Sequence, residues 1–449
     1  MRLTHLSLTN FRNFARLDVD VPRGPVLLVG GNAQGKTSML EAVYFLATFV
    51  SFHANSDRQL INFLAGRESL AVARIVADFQ RKDAPAAAGP ISLRPTSANS
   101  SQPEASPVSH APPNSRIVEQ AGSRPAEMHR LEVRIIQEEN GYNGTPRLRK
   151  EVLLDGVKRR INDVIGQFNA VLFLPHMLRV VEGAPEERRR YLNLAMAQVL
   201  PRYAPALSEY NRALAQRNAL LKQLNERSGD PTSAASQLAY WDEQLSLFGA
   251  ELIYSRIHAA QEIERLAARF HRELTRGQEV LRLSYQPAYD PLPQPPRQYA
   301  LPLDAPLDRS GLSLEKIQQG FRVSLEKLRG EEVARGMTTI GPHRDEMRFL
   351  SNAVDLGTYG SRGQNRTAVL SLKLAEVGWM KEKTGQWPVL LLDEVLAELD
   401  SERRSDLLAR LLESEQAMLT TTDLDMFSPT FISGAKVWHI QGGRLEREM

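Results

Sequence analysis

Apolar and polar positions alternate near both ends of the chain and recur every three to four residues through its middle. Leu3 to Leu8 and Phe14 to Val21 flank a turn at Asn10 to Asn13, and the second run alternates as a half-buried strand does. After the turn signal Pro22-Arg23-Gly24-Pro25, the unbroken apolar run Val26 to Val29 predicts a strand buried on both faces. A Gly-rich turn follows, and Met39, Leu40, Val43 and Leu46 then share one face of a helix expected over 36–48. Further strands are expected at Ser69 to Phe79, His129 to Gln137, Leu148 to Leu154 (after a turn at Gly141 to Pro146) and Val171 to Leu174. From Pro185 the period becomes helical, over Glu186 to Leu200, Tyr203 to Asn225 and Gln237 to Arg276, with Gly229-Asp230-Pro231 before the last. That third helix is long enough to project from a globular head as an arm. Pro287 to Pro306 reads as a linker, Leu314 to Leu328 as a helix, and strands and helices alternate from there onward.

Residues 84–126 break this pattern. Pro, Ser and Ala fill 25 of these 43 positions, too few large apolar groups to offset the entropy of ordering, so a disordered insertion between two strands is expected. The chain therefore divides into an N-terminal part of an α/β head at 1–184, a helical arm domain at 185–280 and a C-terminal part of the head at 281–449.

Composition narrows the class. The 449 residues are 42% hydrophobic and 24% charged, ordinary for a chain with a sizeable core. No apolar run approaches the roughly 18 residues of a membrane span, and Met1 to His5 lacks the layout of a secretory signal. Cysteine is absent, which excludes disulfides, thiolate zinc sites and cysteine nucleophiles. A cytoplasmic protein without a membrane partner is expected. The formal net charge of +3 announces no polyanion, but 45 of the 56 cations are Arg, whose planar fork suits phosphate. A genomic bias toward Arg, Ala, Pro and Leu explains that excess equally well.

The strongest chemical signal is Gly30-Gly31-Asn32-Ala33-Gln34-Gly35-Lys36-Thr37, which fits G-x-x-x-x-G-K-[ST] between a buried strand and an amphipathic helix. Its glycines let backbone N–H groups converge on phosphate oxygens, and the helix start adds further donors. Lys36 can reach the β- and γ-phosphates, and the Thr37 hydroxyl can coordinate Mg²⁺. Such a site needs a carboxylate on a neighbouring strand. The apolar run before Asp393 and Glu394 supplies it, Asp393 for Mg²⁺ and Glu394 to polarise an attacking water. A third element, Ser361-Arg362-Gly363-Gln364, opens a helix expected from about Asn365 to Lys383 and forms a second anion-binding helix start; alone, it equally suits an ordinary cap.

With these motifs the chain resembles the RecF family of bacterial recombination mediators, relatives of the structural-maintenance-of-chromosomes (SMC) and ABC-type ATPases. The segments that carry the resemblance are Leu8 to Phe14, Gly31 to Thr37, Arg188 to Leu192, Gly341 to Glu346, Tyr359 to Thr367, Leu392 to Asp400 and Thr420 to Leu424. They occur in family order over nearly the whole chain, and Gly-Pro-His-Arg-Asp and Ser-x-Gly-Gln-x-Arg-Thr are more specific than the phosphate loop. The resemblance implies an ABC/SMC-type P-loop ATPase head with an inserted helical arm domain. It further implies ATP and Mg²⁺ as cofactors, Lys36 and Glu394 in catalysis, and Ser361, Gly363 and Gln364 closing over the γ-phosphate held by a second copy. Asp400 would lie at the dimer interface, and Thr421, Thr422 and Asp423 would form the switch. His343 and Arg344 would line the site or the interface; a hydrogen-bonded turn after Pro342 is the plainer reading of His343. An ATP-dependent homodimer on single-stranded and double-stranded DNA, at gapped junctions, with RecO and RecR as partners in loading the RecA recombinase, is the implied function, with weak ATP hydrolysis. Arg58, Arg130, Arg134, Arg188, Arg189 and Arg190 are candidate DNA contacts, although the last three also suit an ion-paired helix turn beside Glu186 and Glu187.

Two segments depart from the family. Pro175-His176-Met177-Leu178 stands where Pro-Glu-Asp-Leu is common, and Val50-Ser51-Phe52-His53-Ala54 where Lys-Ser-His-Arg-Thr is favoured. Two other functions remain: a transporter's nucleotide-binding subunit, against which Thr422-Asp423 argues, and a nucleotide-gated structural protein without meaningful hydrolysis, against which Glu394 argues.

Overall fold

A computed structural model describes residues 1–81, 127–138, 147–227, 231–292 and 308–446. The expected insertion at 84–126, the turns at 141–146 and 229–230, and the linker from 293 to 306 lie outside the described residues.

Two six-stranded sheets and one three-stranded sheet are present among the described residues. The first is antiparallel and joins β1 (Arg2–Phe11), β2 (Phe14–Asp20), β4 (Leu70–Arg81), β5 (Glu127–Glu138), β6 (Arg147–Leu154) and β7 (Val157–Arg159), in the order β2-β1-β4-β5-β6-β7. The second joins β3 (Gly24–Val29), β8 (Ala170–Phe173), β12 (Val389–Asp393), β13 (Gln416–Thr421), β14 (Lys436–Gln441) and β15 (Arg444–Glu446), in the order β15-β14-β3-β13-β12-β8. All its pairs are parallel except β14 with β15. A small sheet of β9 (Leu281–Gln286), β10 (Glu346–Ser351) and β11 (Val354–Asp355) completes the set.

The parallel strands are apolar throughout because both faces are covered. Successive side chains go to opposite sides. Val26, Leu28, Leu391 and Met418 enter the core shared with the antiparallel sheet and helix α1 (Lys36–Thr48), whereas Leu27, Val29, Leu392 and Leu419 enter the core beneath the long helices that follow. This sorting puts the carboxyl ends of β3, β12 and β13 side by side, where open α/β sheets bind ligands.

The helices are α2 (Ile161–Val164), α3 (Arg179–Glu182), α4 (Pro185–Val199), α5 (Tyr203–Arg227), α6 (Pro231–Leu274), α7 (Leu314–Arg335), α8 (Leu356–Tyr359), α9 (Arg362–Thr384), α10 (Ser401–Glu413) and α11 (Pro429–Gly434). The 44-residue α6 is not free along its whole length. Its second half lies along α9. There the Trp379 indole N–H donates to Glu262 at 2.7 Å, Lys383 pairs with Glu262 at 2.6 Å and Arg265 with Glu382 at 2.9 Å. Its first half packs with α5 and α7 around Asp242, which is buried and pairs with Arg217 at 2.8 Å and Arg329 at 2.7 Å. Helix α7, grouped by sequence with the C-terminal part of the head, thus joins the helical layer. One apolar core runs from Tyr210 and Phe321 in that layer to Leu390 in the sheet. No helix among the described residues is long and apolar enough to cross a membrane.

Candidate nucleotide-binding site

The phosphate loop leaves β3 and enters α1 in a conformation that few residues other than glycine permit. A Cβ on Gly30 would lie 2.3 Å from the Ile440 carbonyl oxygen. Gly35 has φ 120°, and a Cβ there would also meet the Asn13 side-chain nitrogen at 2.7 Å. The turn between β14 and β15 braces the loop from outside: the Gly443 N–H donates to the Gln34 carbonyl at 2.9 Å and the Gly442 N–H to Gln34 Oε1 at 2.6 Å.

Lys36 is buried and folds back over its own loop. Its Nζ donates to the Gly30 and Gly31 carbonyls at 2.7 and 2.9 Å and lies 3.8 Å from the Glu394 carboxylate. Thr37 Oγ1 donates to Asp393 Oδ1 at 2.8 Å, across 356 positions of sequence. Thr420, on the strand between, donates to the same oxygen at 2.8 Å and accepts the Glu394 N–H at 2.9 Å. Glu394 sits in the left-handed region, φ 51°, with a side chain 47% exposed. A strained residue directly after a buried strand is a frequent sign of a functional site.

Lys36, Thr37 and Glu394 line a cavity of about 650 Å³ together with Arg12, Glu41, His53, Phe63 and Leu64, within the range of small-molecule sites. Mg²⁺ keeps several waters and takes one or two protein oxygens beside phosphate, and the Thr37 hydroxyl with the Asp393 carboxylate offers such a set. Arg12 was not singled out from sequence. It has φ 53° and grips Glu41 through two bonds, Nε to Oε2 at 2.6 Å and Nη2 to Oε1 at 2.7 Å, while Ser51 donates to the same carboxylate. The available signal was Glu41 itself, a carboxylate set between Leu40 and Ala42 on an apolar helix, which burial obliges to find a cation.

Ser361, Gly363 and Gln364 do not line this cavity. They cap α9: Ser361 Oγ accepts from the Gln364 N–H at 3.2 Å, and Gln364 Oε1 accepts from the Ser361 N–H at 3.0 Å. This reciprocal cap uses the serine's acceptor capacity and leaves its hydroxyl proton for an anion. Asp400 caps α10 by accepting from the Arg403 N–H at 2.9 Å, a bond that holds its carboxyl below the usual range. At the end of β13, Thr421 Oγ1 donates to the Asp423 carbonyl at 2.5 Å, and Thr422 Oγ1 lies 3.4 Å from Asp423 Oδ2.

The profile of the RecF/RecN/SMC N-terminal domain matches residues 2–433. The DNA replication and repair protein RecF of Roseiflexus castenholzii is 37% identical over 451 residues, 99% of each chain. That of an Exiguobacterium species is 33% identical over 448 residues, 100% of each chain. The solved structure of the recombination mediator protein RecF-ATPrS in the RecFOR pathway matches with a TM-score of 0.73 and 25% identity, over 99% of this chain and 97% of that one. The chain belongs to the RecF branch of this family.

The two segments that depart from the RecF pattern meet in space. The His53 and His176 rings lie 6.2 Å apart, and burial, with His53 adding to it, lowers the basicity of His176. The candidate DNA arginines separate into two groups. Arg188 is buried, pairs with Glu346 at 2.5 Å and donates to the Gly183 carbonyl at 2.7 Å; Arg189 donates to the Asp345 carbonyl at 2.9 Å. Both stitch α4 to the Gly341–Glu346 segment, and every guanidinium nitrogen of Arg188 already has a partner within the chain. Arg58, Arg130 and Arg190 are exposed; Arg134 is half-buried and pairs with Glu132 at 2.6 Å. His343 accepts from the Tyr210 hydroxyl at Nδ1, 2.7 Å away, the hydrogen-bonded turn role, and Arg344 donates to the Thr338 carbonyl at 3.0 Å.

Proposed function

We propose that this chain is an ATP-dependent DNA-binding protein of recombinational repair and replication, which pairs with a second copy around ATP and hydrolyses it slowly. The observation that carries the reading is a division of labour. Lys36, Thr37 and Glu394 line one cavity, with Asp393 bonded to Thr37 behind it, whereas Ser361 and Gly363 do not line that cavity. A site with its anion-binding cap elsewhere is completed by another copy. ATP then binds the pair more tightly than the single chain, and that difference drives pairing.

Phosphate oxygens would take over the donors that Lys36 now gives to Gly30 and Gly31. Thr37 and Asp393 would hold Mg²⁺, whose charge offsets that of the β- and γ-phosphates. Glu394 would orient water and accept its proton. The exposed arginines would meet the DNA backbone, so binding would tolerate sequence and weaken with salt. RecO-type and RecR-type mediators, and action in the cytoplasm, follow from family membership as part of the same proposal.

Sedimentation with and without ATP, in the presence of gapped duplex DNA, tests the reading. A nucleotide-dependent dimer on DNA is expected, lost in Lys36→Ala and prolonged in Glu394→Gln. A single-copy particle at saturating ATP refutes it, and a Glu394→Gln variant as fast in hydrolysis as wild type refutes the role of that carboxylate.

A further inference from the structure

Helix α6 ends in a cluster of polar contacts that reach both elements expected to act on the second copy. Glu279, just before β9, is its centre. Glu279 Oε1 accepts from the side-chain amide of Gln364 at 3.2 Å, and Oε2 accepts from the Ser351 hydroxyl at 2.9 Å. The same Oε2 faces Nε2 of His271, on α6, at 3.1 Å. His271 is fully buried, and its Nδ1 lies 3.1 Å from the Ser371 hydroxyl on α9. Ser371 gives its own hydroxyl proton to the Thr367 carbonyl at 2.7 Å, so its oxygen faces Nδ1 as an acceptor, as Glu279 faces Nε2. Two neighbours tie the same stretch to α10: Glu273 pairs with Arg410 at 2.5 Å, and Arg276 pairs with Glu402.

Gln364 is the pivot. Its side-chain oxygen holds the Ser361 N–H and its side-chain nitrogen holds Glu279, so Glu279 fixes the rotamer on which the cap depends. We propose that Glu279 is a positioning residue for the signature turn: through Gln364 it holds Ser361 ready for the second copy's phosphate, and through His271 it links that turn to the long helix. Whatever bends or shifts α6 at its far end is thereby felt at Ser361. For its effect on pairing, this inference rests on the dimer reading above; the hold on the turn does not.

Three variants test it. Glu279→Ala removes the acceptors. Glu279→Met does so while keeping volume, should the alanine variant fold poorly. Glu279→Gln keeps an acceptor for Gln364, and its amide can donate to Nε2 of a neutral His271 whose Nδ1–H serves Ser371. Hydrogen exchange across 359–366 in the nucleotide-free chain is expected to rise roughly tenfold in the first two and to stay near wild type in the third. ATP-driven dimerisation is expected to weaken by roughly tenfold in the first two, with binding of ATP to the single chain unchanged. Unchanged exchange in Glu279→Met, or exchange in Glu279→Gln as fast as in Glu279→Met, overturns the proposal. So does undiminished dimerisation of Glu279→Met. If wild type itself fails to pair with ATP, the functional reading falls, and the exchange measurement still decides the role of Glu279.

Discussion

Arg12→Ala isolates the contact that sequence patterning did not reveal. Glu41 is 1% exposed, and two of its bonds come from Arg12, whose own side chain is 22% exposed. Removing one partner of a buried pair leaves a charge without compensation and costs about 3–5 kcal/mol. Ser51 still serves Glu41 in the variant and Arg12 is partly wet, so the lower end, about 3 kcal/mol, is expected. Arg12 also secures the loop at the cavity mouth. Its Nη1 donates to the Gln59 carbonyl at 3.0 Å, and Asn62 Nδ2 donates to the Arg12 carbonyl at 2.7 Å. The variant should therefore unfold at lower urea by circular dichroism and bind a fluorescent ATP analogue more weakly. The double variant Arg12→Met with Glu41→Leu replaces the pair by apolar groups of similar length and should lie within about 1 kcal/mol of wild type. Nucleotide affinity should stay low in the double variant, because the Gln59 carbonyl at the cavity mouth has lost its Arg12 donor. An Arg12→Ala protein within about 1 kcal/mol of wild type, or a double variant as unstable as the single, refutes the account.

Gly30→Ala forces a methyl to within 2.3 Å of the Ile440 carbonyl oxygen and should abolish binding of the ATP analogue while leaving the helical layer's circular dichroism intact; retained binding would show that the loop yields. Gly249→Ala places a Cβ 2.6 Å from the Phe321 ring and should destabilise the helical layer by about 1–3 kcal/mol in urea unfolding. Burial holds the His343 imidazole down at about 4, against an ordinary 6.5. Above 6.5 it is neutral folded or unfolded; as pH falls from there toward 4, the unfolded chain takes up a proton that the folded site refuses, and stability is lost. The loss should amount to about 2–3 kcal/mol, and His343→Asn should flatten urea-unfolding stability across that window; an unchanged acid limb would remove His343 as its cause.

Local features were legible in the sequence because their causes are local. The strand, Gly-rich turn and helix around Lys36, the apolar strand before Asp393 and the capped helix after Ser361 each declare themselves within about twenty residues by period and turn chemistry. What stayed hidden depends on partners far along the chain. The apolar stripe of α6 shows that it packs on something, and nothing in its spacing says that the partner is α9. Arg188 looks like a surface cation beside Glu186 and Glu187, yet its partner is Glu346, 158 positions away. Thr420 bridges Asp393 and Glu394 only because β13 lies between β3 and β12, and strand order has no local signature.

The brace that Gly442 and Gly443 place on Gln34 has a consequence for biosynthesis. The phosphate loop is made 408 positions before the turn that grips Gln34, and the strand that bears on Gly30 comes just ahead of that turn. At about 5–20 residues per second, the ribosome spends some 20–80 seconds between Thr37 and Gly443. During that time the nascent loop lacks the wall and the brace that hold its shape in the folded chain, and Asp393 has yet to join Thr37.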